Sequence, residues 1–96
     1  MSDCTGRIVR AIAGRDKGGL FCVVGVDQGG ERLLLADGKR RKLARPKAKN
    51  QSHVAALTEH VHGFNHPAIQ KLKQGEALSD KELRRALAAF RDQLEV

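Results

Sequence analysis

Residues 6–26, GRIVRAIAGRDKGGLFCVVGV, decide the fold of this chain. They read as two β-strands joined by a glycine-bounded loop. The first strand, Arg7–Ala13, mixes Ile8, Val9, Ala11, Ile12 and Ala13 with Arg7 and Arg10. The second, Leu20–Val26, is nearly all apolar and rich in β-branched and aromatic residues, the composition of a buried strand. Between them, Gly14–Gly19 carries glycine at both ends, so its backbone can take positive φ or approach another chain closely. Arg15 and Lys17 project from its tip.

The same strand-and-turn rhythm continues outward. Gln28-Gly29-Gly30-Glu31 is a hairpin turn and Arg32–Ala36 a third strand. Asp37-Gly38 is the strongest short hairpin signal in the chain, leading into a fourth strand, Lys39–Ala44, with a basic face and Leu43 as its inward anchor. A fifth strand around His53–Leu57 would close a small antiparallel β-barrel. In the first strand Val9, Ala11 and Ala13 fit the barrel interior. Ile8 and Ile12 lie on the other side of the same strand, for C-terminal helices to cover. Arg45–Asn50 reads as an extended arm along the barrel edge, because Pro46 disfavours helix before it and lacks a ladder donor. Its Lys47 and Lys49 are expected to face solvent or phosphate.

From about Asn65 the apolar period becomes helical. Asn65–Gly75 is a short helix with Pro67 in the first turn and Gly75 at the C-terminal cap. The last helix opens with a capping box, Ser79 to Glu82, and a hydrophobic staple, Leu78 to Leu83. Leu83, Ala86, Leu87, Phe90 and Leu94 form its apolar stripe, opposite Lys81, Arg84, Arg85 and Arg91. The expected organisation is mainly β: a barrel with its basic arm over residues 1–58, after a loose lead-in at Met1–Thr5, then a helical extension over 59–96 packed on or beside it.

The charge is one-sided. Residues 1–50 carry 12 Lys and Arg against five Asp and Glu, while residues 51–96 carry six of each, so the β-rich half holds all of the net +7. Seven of the eleven residues from Lys39 to Lys49 are basic and none is acidic. Such clustering points to a polyanionic partner. With three Phe and no Trp or Tyr, base stacking is excluded as the main mode of binding, and recognition of phosphates and RNA shape fits better. No helix combines basic with base-reading polar residues as a reader of the DNA major groove would.

Val9-x-x-x-Ala13-Gly14-Arg15-Asp16-Lys17-Gly18, followed by an apolar strand ending near Val26, resembles the KOW motif of ribosomal proteins and NusG-type elongation factors, with its hallmark glycine at Gly18. The downstream Asp37-Gly38-Lys39-Arg40-Arg41-Lys42 and Arg45-Pro46-Lys47-x-Lys49-Asn50 narrow the resemblance to small bacterial KOW-domain RNA-binding proteins. These are related to the eukaryotic and archaeal KOW-type large-subunit ribosomal proteins. The resemblance covers about residues 5–55, and Gln51-Ser52 and the histidine-rich Thr58–Phe64 depart from it. It implies an SH3-like barrel and an RNA-binding, ribosome-associated function in translation. The RNA-binding residues would be Arg15, Lys17, Gly18, Lys39, Arg40, Arg41, Lys42, Arg45, Lys47 and Lys49. The expected partner is large-subunit ribosomal RNA, with ribosomal proteins beside it. The alternative is a KOW module that grips a protein of a transcription or translation complex.

Enzymatic chemistry finds no support. Gly14–Gly19 lacks the Gly-Lys-Ser/Thr ending of a P-loop, and a strand follows it. His53, His60, His62 and His66 cluster without a cysteine pair or a HExxH pattern, so they read as solvated or backbone-bonded rather than as metal ligands. Ser79 is a helix cap. Asp16, Asp27, Glu31 and Asp37 are ordinary turn residues. Cys22 reads as a small core residue and, with Cys4, as a free thiol of a reducing compartment. No run is long enough to span a membrane and no apolar signal region opens the chain. A cytoplasmic protein without cofactor, monomeric when free, is expected.

Overall fold

The computed structural model describes residues 5–27, 29–58 and 64–94. Five strands form one antiparallel sheet: β1 (Ile8–Ala11), β2 (Leu20–Val26), β3 (Arg32–Ala36), β4 (Lys47–Asn50) and β5 (Val54–Ala56), in spatial order β4-β3-β2-β1-β5. Two helices follow, α1 (Pro67–Lys73) and α2 (Asp80–Leu94). The second and third strands fall where their composition puts them, and β5 lies within His53–Leu57. The first strand is shorter than Arg7–Ala13, ending at Ala11.

The fourth strand is a correction. Lys39–Ala44 is a bent loop, and β4 is Lys47–Asn50, paired with β3 from Arg32↔Asn50 to Leu35↔Lys47. The cause is where the backbone donors go. Asp37 Oδ1 accepts the amides of Lys39 at 2.8 Å and Arg41 at 2.9 Å, while the Asp37 and Gly38 amides donate to Arg41 O. Leu43 N–H donates to Asp80 Oδ1 at 2.8 Å. With those groups engaged, the loop has few left for a ladder. Asp37-Gly38 therefore opens a loop rather than a two-residue hairpin.

Both faces of the sheet carry a core. On one, Ile8, Leu20, Cys22 and Ala36 pack against Ala68, Ile69, Leu83, Ala86, Leu87 and Phe90 of the helices. On the other, Val9, Ala11, Phe21, Val23, Leu33 and Leu35 pack together with Val54 at their margin. Val9 and Ala11 are thus interior, as their alternation predicts, but Ala13 is only half-buried. The helices cover Ile8 completely and leave Ile12 47% exposed, contrary to expectation. A short 3-10 turn, Gln51–His53, carries the chain from β4 at one edge of the sheet to β5 at the other. Among the described residues no strand pairing joins those two edges.

The helix ends follow their sequence signals. His66 caps α1 through Nδ1, which accepts the Ala68 amide. Gly75 (φ +75°) closes it, with Gly75 N–H to Leu72 O and Glu76 N–H to Lys71 O, the paired bonds of a Schellman ending. At α2, Glu82 N–H donates to Ser79 Oγ and Ser79 N–H to Glu82 Oε2, the reciprocal pair of a capping box. The apolar stripe of α2 faces the sheet, and Phe64 meets Phe90 edge-to-face at 5.0 Å. No helix among the described residues is long and apolar enough to cross a membrane.

Candidate functional site

The loop between β1 and β2 is tied by its own backbone. Gly18 N–H donates to Ala11 O at 2.8 Å and Ala11 N–H to Gly19 O at 3.0 Å, while Lys17 N–H reaches Gly14 O and Gly19 N–H reaches Asp16 O. Arg10 Nη1 adds a bond to Gly18 O. The loop is therefore a fixed platform that leaves Arg15, Lys17 and Gly18 exposed.

Asp16 at its centre is not exposed. Its side chain is 8% accessible because two cations cover it. Arg41 Nη2 donates to Oδ2 at 3.1 Å, and Lys49 Nζ stands 3.8 Å from the same oxygen. Lys49 lies directly across from Leu33 in the ladder, so its stem runs over the sheet face that holds Phe21, Val23 and Leu35. It carries the ammonium to the loop at the far end. The approach is close, since a Cβ on Gly14 would stand 3.2 Å from Lys49 Nζ. Lys49, expected to face solvent or phosphate, is only 7% exposed and turned toward Asp16.

The basic loop after β3 rests on α2. Besides the Asp80 bond to Leu43, Arg84 Nη1 donates to Gly38 O at 2.6 Å. Gly38 has φ +78°, and a Cβ there would lie 2.3 Å from Asp80 O, so only glycine allows the loop to seat against the start of the helix. Lys39, Arg40, Lys42 and Arg45 remain exposed, and Arg40, Arg41, Lys42, Ala44 and Arg45 surround a recess of about 330 Å³.

Of the ten residues expected to bind RNA, eight are exposed: Arg15, Lys17, Gly18, Lys39, Arg40, Lys42, Arg45 and Lys47. Arg41 and Lys49 are engaged by Asp16. The three basic segments nevertheless meet. Arg41 ties the 37–45 loop to the β1–β2 loop, and Lys49 ties β4 to the same carboxylate. At the junction lies a groove of about 460 Å³ whose walls include Arg15, Asp16, Arg32, Arg41, Lys47 and Lys49.

Asp16, Asp80 and Arg84 were not singled out for this site from sequence. A lone acid inside a basic loop is the only local hint for Asp16. The bonds of Asp80 and Arg84 span 37 and 46 positions and leave no local signal.

The other candidate chemistry has simple structural roles. His66 caps a helix and His53 is exposed, while His60 and His62 lie outside the described residues, as do Cys4 and Gln28. Cys22 carries a free thiol. Among the described residues no three His, Cys, Asp or Glu side chains are gathered to hold a metal ion. Cys22 is buried, and burial pushes its thiol up to about 12, which leaves it neutral and unreactive.

Comparison with models of protein families and with curated proteins finds no match to this chain.

Proposed function

We propose that this chain is a non-catalytic, KOW-type RNA-binding protein built on an SH3-like barrel, which docks in the cytoplasm on structured RNA of the large ribosomal subunit. The observation that carries this reading is the convergence of three basic segments on Asp16. It unites Arg15 and Lys17, the 37–45 loop and β4 into one cationic surface. Exposed Lys and Arg on a tied scaffold neutralise phosphates and release counterions. They position the protein without reading bases, so selectivity falls to RNA shape and 2′-hydroxyl contacts. The motif resemblance and the neutrality of residues 51–96 support the same reading.

The test is sedimentation of the tagged protein from lysate through a sucrose gradient, with and without ribonuclease. Migration with large subunits, lost on ribonuclease treatment and in high salt, is the expected result. Protein at the top of the gradient would remove the ribosome. Association that survives digestion would favour the protein-gripping alternative.

A further inference from the structure

The groove at the junction of the three basic segments is more than an exposed charged patch. Five of its lining side chains are cationic, Arg15, Arg32, Arg41, Lys47 and Lys49; Arg32 is paired with Asp27 at 3.2 Å, and the other four face the one carboxylate of Asp16. Two of those cations are incompletely satisfied. Arg41 Nε is buried without a hydrogen-bond partner. The Lys49 side chain is 92% buried along its length, and its ammonium, at the groove wall, stands 3.8 Å from Asp16, beyond hydrogen-bond range. A buried donor left unpaired costs free energy, and an ammonium held at a groove wall without a hydrogen bond keeps three donors for an incoming anion. In native structures such a group calls for a partner, and a bound anion beside these cations is one that fits. Asp16 keeps the two cations converged but supplies one charge for two.

We propose that this groove is an oxyanion site that takes one phosphate group between Arg41 and Lys49, with Arg15 and Lys47 at its rim. The ligand class is a phosphate oxygen set, either a phosphodiester of an RNA backbone or a small phosphorylated molecule. A tetrahedral oxyanion suits the donors: the guanidinium offers a planar fork and the ammonium a point charge. Asp16 is a positioning residue, holding both cations in place before the ligand arrives. As an RNA contact the site rests on the function proposed above, but its affinity for phosphate does not.

The experiment has two arms. In the first, the 15N-labelled chain is titrated with inorganic phosphate against chloride at matched ionic strength. Saturable shifts at Gly14, Asp16, Lys49 and Asn50 amides and at the Arg41 Nε–H are expected. Shifts that are absent, or equal in chloride, overturn the site. In the second, an RNA hairpin is titrated at several salt concentrations against the native chain, Lys49→Met and Arg15→Gln. Each variant is expected to bind more weakly and to lower the salt slope by about one.

RNA bound equally by native and variant chains overturns the groove as an RNA contact while leaving the RNA reading intact. Phosphate shifts without any RNA binding support the site and overturn the RNA reading, leaving a small phosphorylated ligand. Should Lys49→Met fail to fold, the native titration and Arg15→Gln, on an exposed residue, still decide.

Discussion

Arg41 and Asp16, 25 positions apart, meet through Nη2 and Oδ2 at 3.1 Å, with Lys49 closing on the same oxygen from a third segment. The carboxylate is nearly buried, so removing its charge strands two cations. Asp16→Asn is expected to lower stability by about 2 kcal/mol, between an exposed and a buried pair, because the Arg41 side chain is one-third open to solvent. Lys49→Met in the Asp16→Asn background should recover part of that loss, because the cycle removes the stranded ammonium as well. Urea denaturation of the single and double variants measures both. Simple additivity would show that Asp16 and Lys49 are not coupled.

Gly38→Ala addresses the seat between the basic loop and α2. A left-handed alanine costs about 1–2 kcal/mol by itself, and its Cβ would be forced onto Asp80 O, 2.3 Å away. The expected outcome is a thermal midpoint at least several degrees lower, at roughly 4–8 °C per kcal/mol for a domain of this size. An unchanged midpoint would mean that loop and helix are not seated as described.

Glu82 makes acid sensitivity visible. Its hydrogen bond from Lys71, then those from Ser79, hold its carboxyl down at about 2, against an ordinary value of 4.5. A depressed folded-state value contributes stability in full above about 4.5, and the contribution disappears as pH falls from there toward 2. Glu82→Gln should therefore destabilise the chain at neutral pH and converge on the native chain near pH 2. The pair is open to solvent, so the effect is modest. A gap between the two chains that stays constant with pH would contradict the linkage.

Cys22 is predicted to resist alkylation. It is 0% exposed and its thiol is raised to about 12. Iodoacetamide at pH 8 should modify the peptide containing Cys22 only after denaturant is added, as read by mass mapping. Rapid labelling in native buffer would place that strand outside the core.

The exposed and engaged basic residues should separate in mutagenesis. Lys39, Arg40 and Lys42 changed together to Ala are expected to weaken RNA binding strongly while thermal stability is kept, since all three are exposed. Adding Arg41→Ala should lower stability as well, because Asp16 loses its nearer cation. Calorimetry beside an RNA titration distinguishes the two. Undiminished RNA binding by the triple variant would count against the proposed face.

Several elements were legible in the sequence because their signals are local. Leu20–Val26 and Arg32–Ala36 have the apolar, β-branched composition of strands and stand at those boundaries. Ser79 and Glu82 spell a capping box and form one. The stripe from Leu83 to Leu94 packs where its spacing aims it. The basic loop was legible as charge but misread as a strand. Asp37-Gly38 does signal a turn, yet local sequence does not reveal that Asp37 and the distant Asp80 take the amides a ladder would need.

The sequence by itself determined the sheet-forming runs, the helix ends, the apolar faces and the one-sided positive charge, since each depends on neighbours a few residues apart. Only the tertiary structure decided which cations stay free. Lys47 and Lys49 are two residues apart and share one face of a strand, but one is exposed and the other lies under the loop that holds Asp16. The difference is electrostatic and long-range. A carboxylate brought in from a separate loop captures the nearer pair, Arg41 and Lys49, and leaves the rest of the cationic surface to solvent.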